Sequence, residues 1–190
     1  MAESEPYIAF LRAVNVGGRK APMATVRALF AGLGLADVRS YIASGNVFFR
    51  PPGGADGAVD RPALTSAIEA RLAEGLGFEV PVMVRTASEL EAALALAAAP
   101  FDRIEVTPEI RLSLAFSSEP LTGLQFPLRS PKGDWEVLGA TLGELFVVLH
   151  LPDGRMQGNP MAAIEKTLGT KLTARFFHTS AKILAAARAA

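Results

Sequence analysis

The chain has 190 residues, half of them apolar, which is enough for one large domain or two small ones in series. Its 19 cationic and 19 anionic side chains cancel, and this counts against a dedicated nucleic-acid binder, which carries a basic excess. The absence of cysteine excludes disulfides, thiolate catalysis and zinc–thiolate sites.

The opening MAESEPYIAF lacks the cationic start and long apolar stretch of a secretion signal. The most apolar helix-like run, 92–99, is far shorter than a membrane span. The expectation is a soluble cytoplasmic protein without a membrane segment. Tyr7 to Val14 is nearly continuous apolar sequence and reads as a central strand covered on both faces. Pro22 stands where a first helical turn begins; Met23, Val26, Phe30 and Leu33 share a helical face, and Gly34 suits its left-handed end. DVRSYIA and VFFR, β-rich pieces around the SGN turn, read as a hairpin, with a single bulged strand as the alternative. PPGGADGAVDRP is a loop. Asp60 is placed to cap a helix facing inward with Leu64, Ile68, Leu72 and Leu76. FEVPVMVR reads as a strand with Pro81 at its start or on an edge. Thr86 and Ser88 each precede a Glu by three residues, so either can form a capping box for the next helix.

Beyond Pro100 the character changes. RLSLAFS alternates strictly and directs Leu112, Leu114 and Phe116 to one face. A Pro-rich loop runs from Ser117 to Gly133, and WEVLGATLGELFVVLHL reads as two strands around a short turn. Asn159-Pro160 starts a helix that Gly169 stops, with Glu165 a solvated charge on it. KLTARFF reads as the last strand and Ser180 as the approximate start of a closing helix. Alternation places Thr173, Arg175 and Phe177 on one face of that strand.

The first half is thus β-α-β-β-α-β followed by a helix, the order of the ferredoxin-like split βαβ fold. The second half follows the same plan with its first helix replaced by a loop, without a visible residue-level repeat. The expected fold is α+β, two ferredoxin-like subdomains packed in tandem over 1–104 and 105–190. In a split βαβ the first two strands run parallel, so the loop NVGGRK and the SGN turn come to one edge of the sheet. Asn15, Gly17, Gly18, Arg19, Lys20, Ser44 and Asn46 would then form a ligand edge suited to an anion. They are equally suited to simple turns, since Asn and Gly tolerate positive φ. The spacing is neither a Walker A nor a dinucleotide fingerprint. His150 and His178 read as strand-end residues, with general base as the alternative role, Trp135 reads as a strand anchor or else a pocket wall, and no spacing indicates a metal or cofactor site.

YIAFLRAVNVGGRKAPM, VRALF, GLGLADVRSYIASGNVFF and NPMAAIEKTLG resemble domain-of-unknown-function family 1697, a family of bacterial two-part α+β proteins. Its pattern has Leu-Arg-Gly-Ile-Asn-Val-Gly-Gly, a Ser-Gly-Asn turn, Ile-Glu-Lys-x-Leu-Gly and Thr-x-Arg-Asn-Trp-x-Thr. The resemblance implies ferredoxin-like character and no established activity. Two departures stand out: Ala13 replaces the usual Gly, and Phe176-Phe177 replace Asn-Trp, with Arg175, Thr179 and Lys182 still in register. Arg175 and Phe177 therefore join the candidate ligand-binding residues. Binding of a small ligand, at the loop edge or between the subdomains, is the leading functional expectation. The alternatives are an enzyme acting on a small metabolite in a cleft and, behind it, a nucleic-acid-binding module.

Overall fold

A computed structural model describes residues 5–52, 59–156 and 158–189. Residues 53–58 of the Pro/Gly-rich segment, and the first four residues, lie outside the described residues. The fold is mixed α+β, with two antiparallel sheets and five α-helices among the described residues. The chain forms two compact units, Met1–Leu90 with Ile183–Ala190, and Glu91–Lys182.

The first unit's sheet contains β1 (Tyr7–Leu11), β2 (Ala36–Tyr41), β3 (Asn46–Arg50) and β4 (Val82–Thr86), in the order β2-β3-β1-β4. Each strand is antiparallel to its neighbours. The apolar run of β1 suits its interior place, because Ile8, Ala9, Phe10 and Leu11 are all buried. Ala9, Leu11, Val47, Phe49, Val82 and Val84 share a core with Val26 and Phe30 of α1 (Met23–Ala31) and Ile68 and Leu72 of α2 (Arg61–Leu76). Each large apolar side chain removed from water in this way stabilises the unit by about 1.5–3 kcal/mol. Pro81 lies just before β4, an edge strand, and its carbonyl accepts the Arg12 N–H at 2.9 Å.

Local chemistry sets the helix ends. The Asp60 carboxylate accepts the Ala63 N–H at 3.0 Å, and Gly77 closes α2 with φ 78°. At the start of α3 (Ala87–Phe101), Glu89 donates its N–H to Thr86 Oγ1 at 3.1 Å, and Thr86 returns its N–H to Glu89 Oε2 at 2.8 Å. Of the two expected capping boxes this is the one formed; the Ser88 N–H goes instead to Glu5.

The second sheet contains β5 (Ile110–Ser117), β6 (Leu128–Arg129), β7 (Trp135–Ala140), β8 (Glu144–His150) and β9 (Leu172–Phe176), in the order β6-β7-β8-β5-β9. Strict alternation in β5 does not translate into one wet face. Ser113, Ala115 and Ser117 are buried as well as Leu114 and Phe116, because β5 lies inside the sheet with both faces covered. Ala115 shares a core with Trp135, Val137, Leu145, Val147 and Ile164, the last on α4 (Pro160–Leu168). Asn159 caps α4 by accepting the Ala162 N–H at 3.1 Å, and Gly169 ends it at φ 70°. The closing helix α5 (Phe177–Arg188) starts three residues earlier than the sequence suggested. Phe177 is therefore the first helical residue and not the last of the strand face. Its ring meets Phe101 edge-on at 5.0 Å, and Ser180 Oγ donates to the Phe176 carbonyl at 3.2 Å. Tertiary packing overrides the β preference of a Phe pair.

Although no residue-level repeat is visible in the sequence, the strand registers contain one. Ile8, Ala9 and Phe10 pair with Phe48, Val47 and Asn46 on one side and with Arg85, Val84 and Met83 on the other. Leu114, Ala115 and Phe116 pair in the same way with Phe146, Leu145 and Glu144, and with Arg175, Ala174 and Thr173. The Leu11 N–H donates to the Gly45 carbonyl, and the Ser117 N–H to the Gly143 carbonyl, both at 2.8 Å. A helix glutamate receives the first N–H of each last strand: Glu69 Oε1 accepts from Val82 at 2.8 Å, and Glu165 Oε1 from Leu172 at 2.7 Å. Glu165 is thus a strand-edge seal and not a solvated charge. The plans diverge only after the first strand, where α1 in one unit corresponds to the loop bearing β6 in the other.

Candidate functional site

Because β1 and β2 are both antiparallel to β3, they run in the same direction, and their C-terminal ends share one end of the sheet. The loop leaving β1 and the turn joining β2 to β3 therefore meet. Asn15 joins them: its Nδ2 donates to the Ala43 carbonyl at 2.7 Å and to the Ala21 carbonyl at 3.2 Å. Its Oδ1 accepts the Ala21 N–H at 2.9 Å, closing the loop 15–21 on itself. One side chain thus fixes the loop's shape and docks it on the neighbouring turn.

The backbone of this loop is strongly left-handed: Ala13 and Asn15 both have φ 56°, Gly17 57° and Gly18 84°. A Cβ built on Gly17 or Gly18 would meet nothing within 4 Å, so both present bare backbone to open space. The Arg19 N–H donates back to the Val16 carbonyl at 3.1 Å. The Gly17 and Gly18 N–H groups have no acceptor among the described residues. Arg19 lies over the Phe78 ring, 5.6 Å from its centroid, which steadies the guanidinium beside the glycines. Lys20 is exposed. At the loop's far end α1 begins with Pro22 at its N-cap, with no side-chain cap and no acidic residue in the first turn. Neither a side-chain cap nor an acidic residue of its own first turn meets its positive end.

The SGN turn is more structural than its polar residues suggest. Asn46 is fully buried, and its Nδ2 donates to the Tyr41 carbonyl at 3.0 Å and to Ser44 Oγ at 3.1 Å. Gly45, at φ 78°, has no room for a side chain: a Cβ would fall 2.6 Å from Val14 Cγ2 and 2.8 Å from Leu11 Cβ. Asn15, Gly17, Gly18, Arg19, Lys20, Ser44 and Asn46 thus come together in one unit. Gly17, Gly18, Arg19 and Lys20 face solvent, while Asn15 and Asn46 hold the frame.

Arg175 and Phe177 belong to the other unit. Arg175 is buried, and one of its Nη1 hydrogen bonds goes to Thr173 Oγ1 at 2.9 Å and another to the Ala174 carbonyl at 2.9 Å. Burial pushes its pKa down to about 10. Phe176 is half-exposed and stacks on the His178 ring at 5.9 Å between centroids, with Thr179 Oγ1 3.2 Å from His178 Nε2. The two-Phe departure therefore splits into one surface ring and one packed ring. His150 ends β8. Among the described residues no three His, Cys, Asp or Glu side chains gather as metal ligands, and no helix is long and apolar enough to cross a membrane.

Sequence reasoning missed Val16, Ile42 and Phe78. The exposure of the first two and the ring contact of the third depend on how the two turns dock, and spacing carries no sign of that.

The model of the family described as Protein of unknown function (DUF1697) matches residues 5–146, and the chain belongs to that family. The structure of conserved bacterial protein SP0830 from Streptococcus pneumoniae is similar in fold, with a TM-score of 0.71 and 22% identity. The match covers 97% of this chain and 99% of that one. No curated protein matches the chain.

Proposed function

We propose that this member of the family binds a small anionic ligand on the loop NVGGRK, with each unit a ferredoxin-like split βαβ. One observation carries the reading. Two adjacent glycines with left-handed backbone and open space at the Cβ position offer N–H groups that the described protein leaves without acceptors. The surrounding chemistry supports it. Asn15 pre-shapes the loop, so little ordering entropy is lost on binding. Arg19 and Lys20 supply charge, and the uncapped start of α1 adds the helix dipole in the same sense.

A thermal-shift titration with inorganic phosphate and with a panel of carboxylates tests it. An anion bound to the folded state stabilises it by mass action, by about 2.7 kcal/mol at a hundredfold excess over Kd, and so raises the unfolding midpoint. The rise should shrink in Lys20→Ala and grow smaller with added salt. A midpoint indifferent to every anion, or a rise untouched by Lys20→Ala together with Arg19→Ala, overturns the proposal.

A further inference from the structure

The same edge carries two apolar side chains that the fold leaves about half exposed. Val16 is 56% exposed and Ile42 is 49% exposed. Single exposed aliphatics need no explanation, but these two are not independent. Val16 follows Asn15 and Ile42 precedes Ala43, and the Asn15–Ala43 hydrogen bond of 2.7 Å holds their loops together. Ile42 also has φ 51°. A β-branched residue in the left-handed region is strained, and Gly or Asn would serve the turn at lower cost.

The segment that carries Val16 has charges of one sign. From residue 6 to residue 36 the sequence contains Arg12, Arg19, Lys20 and Arg27 and no carboxylate side chain. A chain of zero net charge thus carries a cationic stretch of sequence around Val16.

We infer that the loop pair takes an amphipathic anion, a phosphate or carboxylate joined to an aliphatic group, with Val16 and Ile42 covering the aliphatic part. The inference rests on the anion-loop reading and adds the second half of the ligand. The charged end meets the Gly17 and Gly18 amides and the Lys20 ammonium. The aliphatic end covers side chains that otherwise face water. A soluble alkyl phosphate and the headgroup of an anionic lipid share this chemistry.

Calorimetric titration of the full chain with inorganic phosphate and with hexyl phosphate tests the inference. The expected result is hexyl phosphate binding roughly tenfold tighter, the effect of one to two newly covered methylenes. That ratio should fall to about one in Val16→Ser and in Ile42→Asn, the latter chosen because Asn suits the left-handed backbone. Equal affinity of the wild type for the two phosphates, lost in Lys20→Ala, overturns this inference and leaves the anion loop standing. Binding of neither overturns both. Sedimentation with phosphatidylcholine vesicles that contain phosphatidic acid, lost in Val16→Ser, supports the inference with a lipid as the source. Hexyl phosphate binding without sedimentation supports it with a soluble one.

Discussion

Ala13 offers the sharpest test of the loop geometry. It lies at φ 56°, where a Cβ crowds the following carbonyl oxygen. That crowding costs about 1–2 kcal/mol in an L-residue and nothing in glycine. Ala13→Gly removes the crowding but gives the unfolded chain more freedom, which costs about 0.4–1 kcal/mol. The net expectation is stabilisation by about 0.5–1 kcal/mol, or ~1–4 °C in midpoint for a chain of this size. Urea titration of the full chain measures it as a higher midpoint with an unchanged slope. Gly17→Ala is the matched control. Its φ of 57° is the same and nothing lies within 4 Å of the new Cβ, so its effect is purely one of backbone. It should destabilise by about 1 kcal/mol. A neutral or destabilising Ala13→Gly would refute the left-handed assignment at residue 13. It would also remove the physical account of why glycine is usual at this position in the family.

Four further outcomes follow from the same reasoning. Gly45→Ala combines a left-handed backbone with contacts of 2.6 and 2.8 Å to Val14 and Leu11, and should destabilise by about 2–4 kcal/mol in chemical denaturation. Asn15→Ala deprives Ala21 and Ala43 of their side-chain partner. It should cost about 1–3 kcal/mol and speed amide exchange through residues 15–21, measurable by hydrogen exchange. Glu69→Ala and Glu165→Ala should each cost about 1.5–3 kcal/mol, and because they lie in separate units the double variant should show no coupling energy. Thr86→Ala opens the capping box and should cost about 1 kcal/mol, read from the urea midpoint.

The candidate site was legible in parts that depend on neighbours in sequence. Glycines after a strand, a Pro at the next helix start and a Ser-Gly-Asn turn mark where the chain must bend. Strand direction then dictates that the two bends share an end of the sheet. What each polar residue does there was not legible. Asn15 and Asn46 have the same side chain and similar surroundings in sequence, yet Asn15 is an exposed clasp between loops and Asn46 a fully buried brace. That difference is decided by docking, because an amide has two donors and an acceptor and takes whichever partners the fold brings.

By itself the amino-acid sequence determined the features that arise within a few residues: the two-sided burial of β1, the Asp60 and Asn159 caps, the αL ends at Gly77 and Gly169, and the order of elements. These rest on periodicity and local hydrogen bonding, which act before any distant contact forms. Only the tertiary structure decided which strands are neighbours, that Phe177 starts a helix, that Glu69 and Glu165 seal equivalent strand ends, and that Ile8-Ala9-Phe10 and Leu114-Ala115-Phe116 occupy one register. These are pairings across tens of residues, where packing energy selects the partner and permits many different side chains to fill the same place.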